Sequence, residues 1–201
     1  MPNSVHNNAD IKLAKYNEYF SISHDFNINI KPLASSADYS FSTFLERIPT
    51  PFMLATQVVA IDNIALQPFQ TVTGVSNQLA QYLTLQSQKI DLLMNYIITQ
   101  QDEEAYRYQG ESFSGSGISF TSADEFSLTD KVEIKLFLNI DNCNIYCHGE
   151  IIQKTESDNV FQYSVLFTHI RDDDRELLVR CSLHTQQKQL QALAKKRQDE
   201  S

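Results

Sequence analysis

The pattern of this chain changes sharply near Gln109, and that change limits what it can fold into. From Phe52 to Ala105 only Pro68 and Gly74 interrupt a stretch rich in Leu, Ile, Gln and Ala. Apolar residues recur there at helical spacing, so two helices are expected, about 52–66 and 69–104, joined or kinked at Pro68. Beyond Gln109 the runs 118–121, 132–140, 145–154 and 160–170 are rich in β-branched and aromatic residues, and polar turns separate them. Several strands at short, regular spacing point to a closed antiparallel unit. Asp172–Asp174 then open a final helix and Lys195, Lys196 and Arg197 close it, matching the helix dipole at both ends.

Ahead of the long helices, residues 1–18 are polar and Asn-rich. Phe20, Ile22, His24, Phe26, Ile28 and Ile30 alternate along 19–33, the mark of a half-buried strand. Whether that strand joins the barrel or covers the helices is open in the sequence. A short helix around 38–47 is stopped by Pro49 and Pro51. The expected fold class is therefore α+β: an N-terminal strand and short helix in 1–50, a helical oligomerisation region in 51–104, and a β-barrel with a C-terminal helix in 105–201.

Composition narrows the function. With 201 residues and 42% hydrophobic content the chain can bury a core. A net charge of −9 and a pI near 4.9 repel phosphate backbones, so neither DNA nor RNA is an expected partner. The start MPNSVHNNAD has neither a basic opening nor an apolar run, and no stretch nears the roughly 20 apolar residues of a membrane span. A cytoplasmic location without membrane insertion is the expectation. Three cysteines, Cys143, Cys147 and Cys181, suit a reducing compartment. Cys143 and Cys147 are four strand residues apart, about 13 Å, too far for a disulfide. His148 points to the opposite face from Cys147, so no metal site is expected.

The 69–104 helix reads as a self-association device. With Leu83 at heptad position a, the a series is Ser76, Leu83, Ile90, Ile97 and the d series Val72, Leu79, Gln86, Leu93, Gln100. Val75, Tyr82, Met94 and Tyr96 widen the stripe. Leu79, Leu83, Gln86, Ile90, Leu93 and Ile97 are the expected contacts of a homodimer or homotetramer, with Gln86 fixing register. Leu85 and Leu92 lie off the stripe and are expected to touch another segment of the same chain.

Gly110, Gly115 and Gly117, three of the five glycines, fall within eight residues in GESFSGSGISF. The spacing of Gly110 and Gly115 mimics half of a phosphate loop, but Ser116 stands where its lysine would be and a strand follows instead of a helix. Ser116 between two glycines lacks the strand–turn–helix elbow of a serine nucleophile. No triad, metal cluster or catalytic carboxylate pair emerges, so a binding module rather than an enzyme is expected. At least one glycine of the cluster is expected at positive φ, since glycine adopts it without steric cost.

The stretch SFSGSGISF resembles the D/N-x-S-x-x-G signature of PilZ domains, with Ser112, Ser114 and Gly117 at its defined positions. YCHGEII, YSVLFTHI and the helix opening DDDRELL continue the likeness, Gly149, Val165 and Phe167 falling where such barrels carry a small residue and a G-V-x-F-like strand. The central helix, with the strand FNINIKPL ahead of it, is similar to an atypical, helix-tetramerised PilZ subfamily. The resemblance implies a six-stranded-type PilZ barrel and a bacterial receptor or effector for cyclic di-GMP. No other cofactor is implied. Ligand contacts would fall at Arg107, Ser112, Ser114, Gly115 and Gly117. The family's R-x-x-x-R pair ahead of the barrel is represented only by Arg107; a literal copy, Arg171 to Arg175, follows the signature. The other implied role is a PilZ-fold adaptor that binds no nucleotide and acts through an unidentified protein partner in a motility or pilus pathway.

Overall fold

The computed structural model describes residues 3–34, 39–66, 75–138, 140, 143–157 and 160–199. Six strands form one closed antiparallel barrel: β1 (Ile22–Pro32), β2 (Arg107–Phe113), β3 (Gly117–Ser122), β4 (Lys131–Phe137), β5 (Asn144–Ser157) and β6 (Val160–His169). Around the barrel they run β1-β2-β3-β6-β5-β4, so β1 closes the sheet between β2 and β4. The strand at 19–33 therefore joins the barrel. Closure leaves no free edge, the usual solution for short antiparallel strands.

Alternation decides which way each strand faces. In β4, Val132, Ile134 and Leu136 are fully buried, while Lys131, Glu133 and Lys135 point outward. Ile22, Phe26, Ile28 and Ile30 of β1 face the same core, whereas Phe20 precedes the strand and is 68% exposed. Phe113, Ile118, Phe120, Tyr163 and Val165 complete the interior, and Leu177, Leu178 and Cys181 of the last helix close it.

The described residues also form five α-helices: α1 (Asn3–Tyr16), α2 (Phe41–Arg47), α3 (Thr50–Leu66), α4 (Val75–Thr99) and α5 (Asp172–Asp199). Ser40 caps α2, its Oγ accepting from the Thr43 N–H, and the helix stops ahead of Pro49. The start of α3 and the end of α4 share a second cluster, built on Phe44, Ile48, Phe52, Ala55 and Ile98 against Phe137 and Tyr146 of the barrel. The two helices thus form an antiparallel arm rooted on β4 and β5. The sequence puts one long helix over 69–104; the described part is α4, which ends at Thr99, and residues 67–74, including Val72, lie outside the described residues. No described helix is long and apolar enough to cross a membrane.

Three expectations need correction. Arg107–Phe113, absent from the expected strands, is β2: its apolar alternation is broken at Gly110, which stays small because an added Cβ would meet the Phe26 ring at 2.3 Å. Leu85 and Leu92 are 50% and 71% exposed rather than covered by another segment, because the start of α3 packs with Met94 and Ile98 of α4. Finally, no glycine of the cluster has positive φ. Their role is close approach: a Cβ on Gly117 would lie 2.3 Å from the Val165 carbonyl oxygen.

Candidate functional site

The turn between β2 and β3 is organised by a serine. Ser114 Oγ accepts from the main-chain N–H of Ser116 (3.2 Å) and of Gly117 (3.1 Å), while its own N–H donates to the Gly117 carbonyl at 2.9 Å. A side chain that satisfies two backbone donors holds a loop without glycine's left-handed conformation. Ser114 and Ser116 are buried. The Ser116 carbonyl accepts from the Phe167 N–H at 2.8 Å, which ties the turn to β6.

Ser112 lies on the outer face of β2. Its register partner on β3 is Ser119, whose partner on β6 is Ser164, so three serines form a row across three strands. The Ser112 and Ser119 hydroxyls are 2.6 Å apart. Tyr16, at the end of α1, covers this row: its phenol lies beside Ser164 and Ser112, and burial pushes its pKa up. The Ser116 hydroxyl donates to the Tyr16 carbonyl at 2.6 Å. The Tyr16 ring abuts Gly117 and the Tyr19 ring abuts Gly115, so the two glycines make room for aromatic rings. Lys12 adds an ion pair with Glu150 at 2.5 Å.

Ser112, Ser114, Gly115 and Gly117 are therefore brought together, but Arg107 is not among them. It begins β2, at the opposite end from the turn and about 20 Å away along the strand. Its guanidinium is paired with Asp102 at 2.8 Å. Asp102 also accepts from Asn29 Nδ2, and the Asn29 side-chain oxygen accepts from the Glu103 N–H. Glu103 in turn meets Lys135 and Lys31, whose cations hold its carboxyl below the usual range. Arg107 thus belongs to a polar network that fixes the end of the helical arm to β1 and β4.

The two arginines of the R-x-x-x-R copy also part company. Arg171 binds Asp174 through Nε and Nη2, both at 2.7 Å, and its Nη2 reaches Thr56 Oγ1 at 3.1 Å. Asp174 is fully buried, and burial raises its pKa despite the arginine. Arg175 turns the other way and donates to the Gly115 carbonyl at 2.5 Å. The sequence singled out neither Lys12, Lys15, Tyr16 nor Tyr19, because a polar, Asn-rich opening carries no local sign of docking on a turn a hundred residues later.

The cysteines are free and buried, and burial drives the Cys147 thiol well above its ordinary pKa, the state of an inert packing group. Among the described residues no group of three or more His, Cys, Asp or Glu could hold a metal ion.

Comparison with known proteins places this geometry. A tetrameric PilZ-domain protein of Xanthomonas campestris, self-assembled through a helical bundle, aligns with a TM-score of 0.52 at 13% identity, over 89% of this chain and 96% of that one. The cyclic di-GMP-bound PilZ domain of YcgR from Escherichia coli aligns at 11% identity and TM-score 0.38, over 47% of this chain and 84% of that one. The Bacillus subtilis inhibitor of motility MotI/DgrA aligns at 15% identity and TM-score 0.39, over 43% of this chain and 44% of that one, less than half of the inhibitor's length. No curated protein matches. Residues 86–184 match the family model of the PilZ domain, and the closed six-stranded barrel followed by a helix is the PilZ fold.

Proposed function

We propose that this chain is a self-associating cyclic di-GMP receptor of the PilZ type, a non-catalytic signalling module of the bacterial cytoplasm. The observation that carries it is the turn Ser112–Gly117: a D/N-x-S-x-x-G-like signature, organised by Ser114, inside a stretch matching the PilZ domain. The ligand would lie against Ser112, Ser114, Gly115 and Gly117. Arg107, the remaining candidate, lies at the other end of β2, paired with Asp102, and is no part of that contact. Self-association is supported by the exposed apolar face of α4 and by the tetrameric assembly of the Xanthomonas protein.

A second reading has its own observation. Tyr16 already occupies the serine row, and a signature face filled by the chain itself suits an adaptor that works through an unidentified protein partner in a motility or pilus pathway. Titration calorimetry of the full chain with cyclic di-GMP separates the two. Saturable binding is expected; its absence from the folded, monodisperse protein overturns the receptor reading in favour of the adaptor.

A further inference from the structure

A cavity of about 600 Å³ opens between α1, the outer face of β5 and β6, the signature turn and the first turn of α5. That volume is typical of small-molecule sites. Its wall differs in charge from the chain as a whole. Lys12, Lys15 and Arg175 line it against Glu18 and Glu150, in a protein whose net charge is −9. Lys12 and Glu150 pair with each other and cancel. Lys15 has no ion-pair partner among the described residues. Arg175 is held at one end by the Gly115 carbonyl, which takes one Nη1 hydrogen. The rest of its donor fork has no partner among the described residues, unlike that of Arg171, which Asp174 and Thr56 engage. An arginine anchored through one N–H and open at the others is pre-organised for an anion. Ser116 and the Tyr19 ring complete the wall.

We propose that this cavity is an anion-binding site in which Arg175 and Lys15 hold a phosphate or phosphodiester group, with the Tyr19 ring beside it as a stacking surface. The identity of the ligand as cyclic di-GMP rests on the receptor reading; the anion site does not. The site is composite, since α1 and α5 come from opposite ends of the chain and each brings one cation to the signature turn. Arg107 takes no part.

The test uses the full-length protein and the variants Lys15→Glu, Arg175→Gln and Arg107→Gln, titrated calorimetrically with cyclic di-GMP and, separately, with inorganic pyrophosphate at low ionic strength. Lys15→Glu and Arg175→Gln should each weaken binding by about tenfold or more, and Arg107→Gln by no more than about twofold. If Arg175→Gln does not fold, Lys15→Glu decides alone, because Lys15 is exposed. Cyclic di-GMP binding that is indifferent to positions 15 and 175, or equally sensitive to 107, overturns the site and leaves the receptor reading intact. Pyrophosphate binding sensitive to 15 and 175, without cyclic di-GMP binding, supports the site and overturns that reading. Binding of neither by the wild type overturns both.

Discussion

The Ser116 hydroxyl donates to the main-chain carbonyl of Tyr16 at 2.6 Å, so the last turn of α1 is pinned to the turn that leads into β3. The bond satisfies one of the orphan carbonyls at a helix C-terminus and joins residues a hundred positions apart. It also places the Tyr16 ring over the serine row, its phenol beside Ser112 and Ser164. Tyr16→Ala removes both the ring and the phenol. It should release α1 and destabilise the fold by about 1–3 kcal/mol. Hydrogen exchange checks this: α1 amides should lose protection while β4 and β5 keep theirs. Unchanged protection of α1 would show that Tyr16 does not hold it.

Gly117 tolerates no side chain. An added Cβ would lie 2.3 Å from the Val165 carbonyl oxygen and 2.7 Å from the Tyr16 ring. The first neighbour is backbone in a paired strand and cannot step aside. Gly117→Val should therefore cost at least about 1–3 kcal/mol, the range of an overpacked core, whether or not a ligand is present. A thermal melt is sufficient. An unchanged midpoint would show that β3 and β6 can separate without penalty.

What the sequence shows and what it hides divide along one line. Val132, Ile134 and Leu136 declare their strand by alternation, and Asp172–Asp174 declare the start of α5 by charge; both signals are local. The start of β2 is hidden because Gly110 replaces an apolar residue where Phe26, from a distant strand, fills the space. The candidate site is hidden further. Ser114 and Gly117 are legible as a signature, but the partners that cover and charge the face, Tyr16, Lys15 and Arg175, are set by the docking of two terminal helices. A local pattern cannot report a contact made by tertiary packing. Arg107 is a different case: it looks like a ligand contact by residue type, although the carboxylate that pairs with it, Asp102, lies only five residues before it in the sequence.

Arg171 and Asp174 tie α5 to the helical arm. Asp174 Oδ1 accepts from Thr56 Oγ1 of α3 at 2.7 Å, and Arg171 bridges both. Asp174 is wholly buried. Arg171→Ala leaves that carboxylate without its cation and should cost about 3–5 kcal/mol, the penalty of a buried charge stripped of its partner. Denaturant melts measure it. The double variant Arg171→Met with Asp174→Leu should recover much of the loss, since it removes both charges; failure to recover would mean that the Thr56–Asp174 hydrogen bond, and not the charge pair, governs the site.

His148 should make stability depend on pH. It is buried against Phe44, Tyr146 and His169, and its Nδ1 has no hydrogen-bond partner among the described residues. Burial, with the charges of His169 and Arg47, pushes its pKa down to about 4 from 6.5. The folded state therefore favours the neutral ring. Its stabilisation is fully present above pH 6.5 and is lost as pH falls from there toward 4, where the unfolded chain binds a proton that the fold refuses. The loss across that window is on the order of 2–3 kcal/mol. Denaturant midpoints of wild type and His148→Gln between pH 7.5 and 4.5 test this. The variant should lose less stability on acidification, and parallel curves would assign the pH dependence to other groups.

The face of α4 turned away from α3 remains apolar. Leu79, Ile90, Leu93 and Ile97 are 51%, 45%, 65% and 42% exposed, and Tyr82, Leu85, Leu92 and Tyr96 extend the patch around the helix. Leu83 and Gln86 are partly covered, and Gln86 lies on the same stripe, seven residues from both Leu79 and Leu93. A contiguous surface of that kind is rare on a soluble monomer. Each aliphatic side chain would gain about 1.5–3 kcal/mol on full burial, against the entropy of ordering two chains. The width of the patch, reaching to Leu85 and Leu92, makes a tetramer rather than a dimer the expected outcome. Ile90→Asp with Leu93→Asp places two carboxylates in the seam and should dissociate the assembly. The barrel should remain folded, because neither residue touches its core. Light scattering coupled to size exclusion reads the outcome. A wild-type mass equal to the single chain, 23.0 kDa, refutes self-association, and an assembly unaffected by the double substitution moves the contact away from α4.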